Sequence, residues 1–242
     1  MKKLFCLLLS ALLLLSLLGC VPNTDIRGEI ETPSSSTSLR GEVETPTNST
    51  TASSEAEDSS SDGPVFSLGT TENNHYYNNL FGISCTIPSD WVFYTDEQMM
   101  ELNNITMDTL DSDIVEALKN ATVIYDMFAQ DTYGFNSTNV NMELLEPMQM
   151  VMLDLKENVE ALLPALEQSY ANMGYTNIQS AYTKVTVDGK EYHGFKLSAQ
   201  IQGIDIYSVS FSYKSAYYLV NVNVTSFITD ETDTLLSYYT IS

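Results

Sequence analysis

The chain has 242 residues, with 32 acidic against 10 basic side chains and a formal net charge of −22. That balance excludes charge attraction to phosphate backbones and to anionic lipid headgroups, so no nucleic-acid partner and no electrostatic membrane binding are expected. Its three cysteines, Cys6, Cys20 and Cys85, supply neither a disulfide framework nor a cysteine zinc site.

The chain opens with Lys2-Lys3 and an apolar run from Leu4 to Leu18. At about 15 residues this run falls short of the roughly 20 needed to span a bilayer as a helix. It ends in Leu17-Leu18-Gly19-Cys20, which resembles the lipobox of bacterial lipoproteins. The resemblance implies that residues 1–19 are a signal peptide, that cleavage leaves Cys20 as the new N-terminus, and that acyl chains such as palmitate on Cys20 anchor the protein.

From Val21 the composition collapses into Ser, Thr, Glu, Pro and Asn, so residues 20–72 read as a disordered tether with too little apolar surface to fold. RGEIETP at Arg27–Pro33 returns as RGEVETP at Arg40–Pro46 without apolar periodicity, which marks an expanded linker and not a solenoid. Such a tether reaches on the order of 150 Å fully extended and about 40 Å as a relaxed coil. That reach suits a domain held off the membrane within a cell wall, hence a Gram-positive cell surface.

Residues 73–242 read as one domain. Ile83, Cys85 and Ile87 alternate with Ser84 and Thr86, predicting a strand with Cys85 inward. Trp91–Tyr94 follows the turn at Pro88-Ser89-Asp90, and Thr95 with Gln98 predicts a capped helix to about Leu102. A second helix is expected over Asp108–Asn120, then strands over Thr122–Gln130 and Asn139–Leu145. One apolar stripe from Pro147 to Met173, including Met148, Val151 and Met152, predicts a long helix kinked or split at Pro164.

Four alternating segments then predict an antiparallel meander: Ala181–Val187, Phe195–Ile201, Tyr207–Tyr213 and Tyr218–Val224. Asp188-Gly189 and Gln202-Gly203 supply tight turns. A closing helix is expected from Asp230 to about Tyr239. The polar residues alternating with the apolar ones predict an open face for partner binding, formed by Tyr182, Lys184, Ser198, Gln200, Ser208, Ser210, Asn221 and Asn223.

The run Asn79-Leu80-Phe81-Gly82-Ile83, leading through Ile87-Pro88 to Trp91, with helices, a long antiparallel sheet and a terminal helix after it, resembles the PsbP-like fold. That fold is shared by an extrinsic photosystem subunit, a Ran-binding nuclear import factor and many exported bacterial lipoproteins. The resemblance implies an α+β domain, an antiparallel meander packed with three to four α-helices, that binds partners and does not catalyse.

Few residues carry chemistry. His75 and His193 stand alone, no serine lies in a nucleophile elbow, and no glycine-rich phosphate loop occurs. Asp96-Glu97 and Asp230-Glu231-Asp233 fall in the first turns of expected helices, where acids favour the exposed N–H groups, while Asp111, Asp113 and Glu116 lack the spacing of a calcium loop. Met148, Met150 and Met152 raise copper binding, but helical geometry points Met150 away from the other two. The expectation is therefore a membrane-anchored surface lipoprotein without catalytic, cofactor or metal residues, binding an extracytoplasmic protein or glycan. The alternatives are a surface hydrolase acting on a cell-wall or dietary polymer and a copper-handling lipoprotein.

Overall fold

The computed structural model describes residues 68–104 and 123–242. The leader, Cys20, the tether up to Ser67 and the helix expected over Asp108–Asn120 lie outside the described residues. Within them the strands are β1 (Thr70–Glu72), β2 (His75–Asn78), β3 (Ile83–Thr86), β4 (Trp91–Phe93), β5 (Val123–Asp131), β6 (Asn136–Leu144), β7 (Thr176–Val187), β8 (Lys190–Ile201), β9 (Ile204–Ser215), β10 (Tyr218–Phe227) and β11 (Tyr239–Ile241). The helices are α1 (Asp96–Leu102), α2 (Pro147–Met152), α3 (Leu155–Asn172) and α4 (Thr232–Leu236).

Seven strands form one antiparallel sheet in the order β4-β5-β6-β10-β9-β8-β7, and four form a second in the order β1-β2-β3-β11. This overturns the α+β, PsbP-like expectation. The described chain is mostly β-sheet, and three of its four helices have seven residues or fewer. Two readings account for the difference. The stripe over Pro147–Met173 is not one helix: Leu153 turns extended (φ −68°, ψ 112°), and Asp154 starts α3 by accepting from Glu157 N at 3.0 Å. The break therefore precedes Pro164, which stays inside α3. The closing helix also stops at Leu236, and Tyr239–Ile241 leaves it to pair with β3.

The meander forms with tight turns, Asp188-Gly189 and Gln202-Gly203 both lying at positive φ as hairpin turns of this length require. Its larger core lies between the sheets, where Tyr76, Ile83, Cys85, Trp91, Met142 and Phe211 belong to one buried cluster. The opposite face of the large sheet carries a second core at its β7–β9 side. There Val159, Leu162, Leu166 and Tyr170 of α3 pack on Phe195, Leu197, Ala199 and Ile206.

Pairing begins at Thr70, three residues before Asn73, and Gly69 N donates to Asp126 Oδ1 at 2.7 Å. A chain starting at Leu68 is therefore expected to be about 2 kcal/mol more stable than one starting at Asn73, because the shorter chain strips a donor from a half-buried carboxylate and an edge strand from β2. Equal unfolding midpoints would show that β1 adds nothing to the domain.

Candidate functional site

The eight residues of the expected open face do not share one face. Register pairs Lys184 with His193, Phe195 with Ser210, Leu197 with Ser208, and Ser210 with Asn223. Cross-strand partners point the same way, so Tyr182, Lys184, Ser208, Ser210, Asn221 and Asn223 come together beside Phe195 and Leu197. Ser198 and Gln200 point to the other face, paired with Tyr207 and Asp205. The reason is the turn: a two-residue hairpin pairs odd-numbered residues with even-numbered ones, so β8 sends Phe195, Leu197 and Ala199 to α3 while β7 sends Val185 and Val187 to the inter-sheet core.

The six that converge are largely occupied with one another and their neighbours. Two Asn-Val-Asn segments, Asn139–Asn141 and Asn221–Asn223, lie directly opposite each other on β6 and β10. Asn221 Nδ2 donates to Asn141 Oδ1 at 3.1 Å, Asn223 Nδ2 to Asn139 Oδ1 at 3.0 Å, and Asn141 Nδ2 to Asn139 Oδ1 at 3.1 Å. Ser212 Oγ donates to Asn221 Oδ1 at 2.6 Å, and the Ser208 and Thr225 hydroxyls bond at 2.9 Å. Asn139 and Asn223 are only 2% and 4% exposed. At the β7 side the Tyr182 hydroxyl meets His193 Nδ1 at 2.7 Å, and Lys184 pairs with Glu191. The strip is an internal polar network that fixes the register of β6, β10 and β9. The repeated tripeptide was its sequence signal.

Two residues beyond Asn141 on the same face of β6, Glu143 lies opposite Leu219 and Val123. It is buried, and burial alone pushes its carboxyl up to about 7. Asp126, at the bulge between Tyr125 and Met127, accepts from Tyr76 Oη at 2.6 Å, Asn78 Nδ2 at 2.8 Å and Gly69 N. Burial raises its pKa while these three hydrogen bonds pull the other way. It borders a cavity of about 360 Å³ lined by Leu68, Phe93, Tyr94, Met99, Met100 and Phe128 among others. Asp126 thus binds the start of the domain to the edge of the large sheet.

Solvent-facing apolar side chains collect instead at the two ends of that sheet. At one end α2 exposes Met148, Val151 and Met152, which were expected in a buried stripe. Lys214 Nζ holds that helix by donating to the carbonyls of Met150 (2.8 Å) and Leu153 (2.6 Å). At the other end the β5–β6 turn exposes Tyr133 and Phe135, the β8–β9 turn Ile204, and the segment after β10 Ile228. These loops are tied to each other: Phe227 N donates to Phe135 O at 2.9 Å and Ile228 N to Asp205 O at 2.8 Å. Ile228 has φ +74° and is the only β-branched residue among the eight non-glycine positive-φ residues described. That conformation costs roughly 1–2 kcal/mol for a side chain with a Cβ.

The remaining residues singled out in the sequence make local contacts. Cys85 is buried with its thiol pushed up to about 12 by burial. His75 Nδ1 lies 2.9 Å from Thr86 Oγ1 on the strand pair β2–β3. Asp96 and Glu97 occupy the first turn of α1, whose Thr95–Gln98 capping box forms. Among the described residues, no group of three or more His, Cys, Asp or Glu side chains is placed to hold a metal ion, and no helix is long and apolar enough to cross a membrane.

No protein-family model matches the sequence, and no curated protein matches it either. Among solved structures the chain is similar to LpqN, a Mycobacterium tuberculosis protein involved in cell envelope biogenesis, with 10% identity and a TM-score of 0.32 over 64% of this chain and 75% of that one. A TM-score that low establishes neither a shared fold nor a shared role.

Proposed function

We propose that this is a lipid-anchored protein on the extracytoplasmic face of a bacterial membrane, whose β domain binds a partner through the loop end that carries Tyr133, Phe135, Ile204 and Ile228. The anchor rests on Leu17-Leu18-Gly19-Cys20 and the tether behind it. The binding role rests on one observation: apolar side chains stand in solvent on loops that hydrogen bonds hold in place. A rigid anchor loses little entropy on docking, which is what makes such groups effective in recognition. The middle of the sheet is the poorer surface, because its amides already hydrogen-bond each other.

Two measurements test the reading. Cys20→Ser should stop incorporation of labelled fatty acid and leave an uncleaved precursor; continued labelling would refute the anchor. The lipid-free chain without Cys20, residues 21–242, should bind source cells saturably, and Tyr133→Ser should weaken that binding about tenfold. Binding that neither saturates nor responds to Tyr133→Ser counts against the loop end as the binding surface.

A further inference from the structure

The turn that presents Tyr133 is built around one carboxylate. Asp131 Oδ1 accepts from Tyr133 N (3.1 Å) and Phe135 N (2.9 Å), while Oδ2 accepts from Asn136 N and Asn136 Nδ2 (both 3.0 Å). Asp131 is itself 8% exposed, whereas Tyr133 is 81% exposed. Thr132 fixes the turn to the preceding loop by donating its N–H to Asp90 O at 3.1 Å. The segment after β10 is fixed in the same manner: Ser226 Oγ donates to Thr229 O at 2.9 Å and accepts from Glu231 N at 3.1 Å. An exposed isoleucine at positive φ contributes little to the core, and glycine would suit that backbone better.

The charge at this end is of one sign. Asp90, Asp205, Asp230 and Glu231 lie on or beside the three loops, and residues 131–136, 201–206 and 227–231 contain no lysine or arginine. Lys196, on the neighbouring strand, is already 3.6 Å from Asp233. We infer that this end docks a cationic protein segment, lysine- or arginine-rich, that places an aliphatic or aromatic residue against Tyr133 and Ile228. This rests on the binding role proposed above and adds the chemistry of the partner. A second copy of the chain would bring four acids against four, and an anionic bilayer would be repelled for the same reason.

The probe is a fluorescein-labelled heptapeptide, Lys-Leu-Lys-Phe-Lys-Leu-Lys, titrated by anisotropy into the lipid-free chain that begins one residue after Cys20 (residues 21–242). Binding should weaken at least tenfold in Tyr133→Ser with Ile228→Gly, and should weaken at high salt. Asp90→Asn with Glu231→Gln keeps every apolar side chain and should weaken it about fivefold. Met148→Ser with Val151→Ser, at the opposite end, should leave it unchanged. Ile228→Gly alone should melt no lower than wild type, because the strain is relieved, so lost binding is not lost folding. The inference is overturned if the glutamate-for-lysine peptide binds as tightly, if the two loop-end variants bind normally, if the Met148 variant loses as much, or if the chain instead self-associates or binds phosphatidylcholine vesicles through these residues. A cell-surface partner crosslinked at Tyr133 that carries no basic segment would also overturn it, while leaving the broader binding role intact.

Discussion

Trp91→Ala should destabilise the domain by about 3–5 kcal/mol, the range for large aromatic truncations in packed cores. Trp91 is 6% exposed and meets Tyr238 edge-on, with ring centroids 5.8 Å apart. Its backbone is paired to Asp131 on β5, and its side chain belongs to the cluster between the two sheets. Hydrogen-bonded ladders hold both walls of that space, so the void left by alanine cannot collapse cheaply. Urea unfolding should show a lower midpoint with an unchanged slope. A loss below about 1 kcal/mol would remove Trp91 from the core. The structure thus places this side chain between the two sheets.

Glu143 should also make stability fall as pH rises from about 4.5 to about 7. Its carboxyl is raised from 4.5 to about 7 by burial, with no charged residue opposite it on β5 or β10. The folded chain therefore keeps a proton that the unfolded chain has released in this window. The contribution is complete below pH 4.5 and lost as pH passes 7, the opposite of a salt-bridged carboxylate. A shift of this size corresponds to about 3 kcal/mol. Glu143→Gln should remove the Glu143 part of the slope, so that the difference between variant and wild type grows by that amount from pH 4.5 to 8. Parallel stability curves over this range would show that the carboxyl is ionised in the folded state at pH 7.

The meander was legible because its signals are local: period-2 alternation and two-residue turns whose residues tolerate positive φ. The face carried by β8 was misread although the sequence contained the answer. Asp188-Gly189 as a two-residue turn pairs Val185 with Tyr192, which sends Phe195 and Leu197 away from Val185. The sheet carries an apolar cluster on each face, the second confined to its β7–β9 side, and an assumption of one apolar face hid this. Other features depend on contacts distant in sequence. The stripe from Met148 to Tyr170 looked continuous because periodicity carries no record of the break at Leu153, whose carbonyl meets Lys214 sixty-one residues later. Tyr239 read as the end of the closing helix, and the strand it begins was missed because three residues cannot announce a strand without their partner β3. The candidate site was the least legible. Tyr133 and Ile228 look like ordinary loop residues until Asp131 and Ser226 are seen holding them out.

The central claim, that the domain meets its partner through one end of the large sheet, is tested most directly by site-specific photo-crosslinking on living source cells. A benzoylphenylalanine placed at Tyr133, at Val151 on the opposite end, or at Lys184 on the exposed β7 side of the polar face samples three surfaces in turn. The account predicts a discrete crosslinked product from position 133 and none from 151 or 184. Products from 151 or 184 with none from 133 would contradict it.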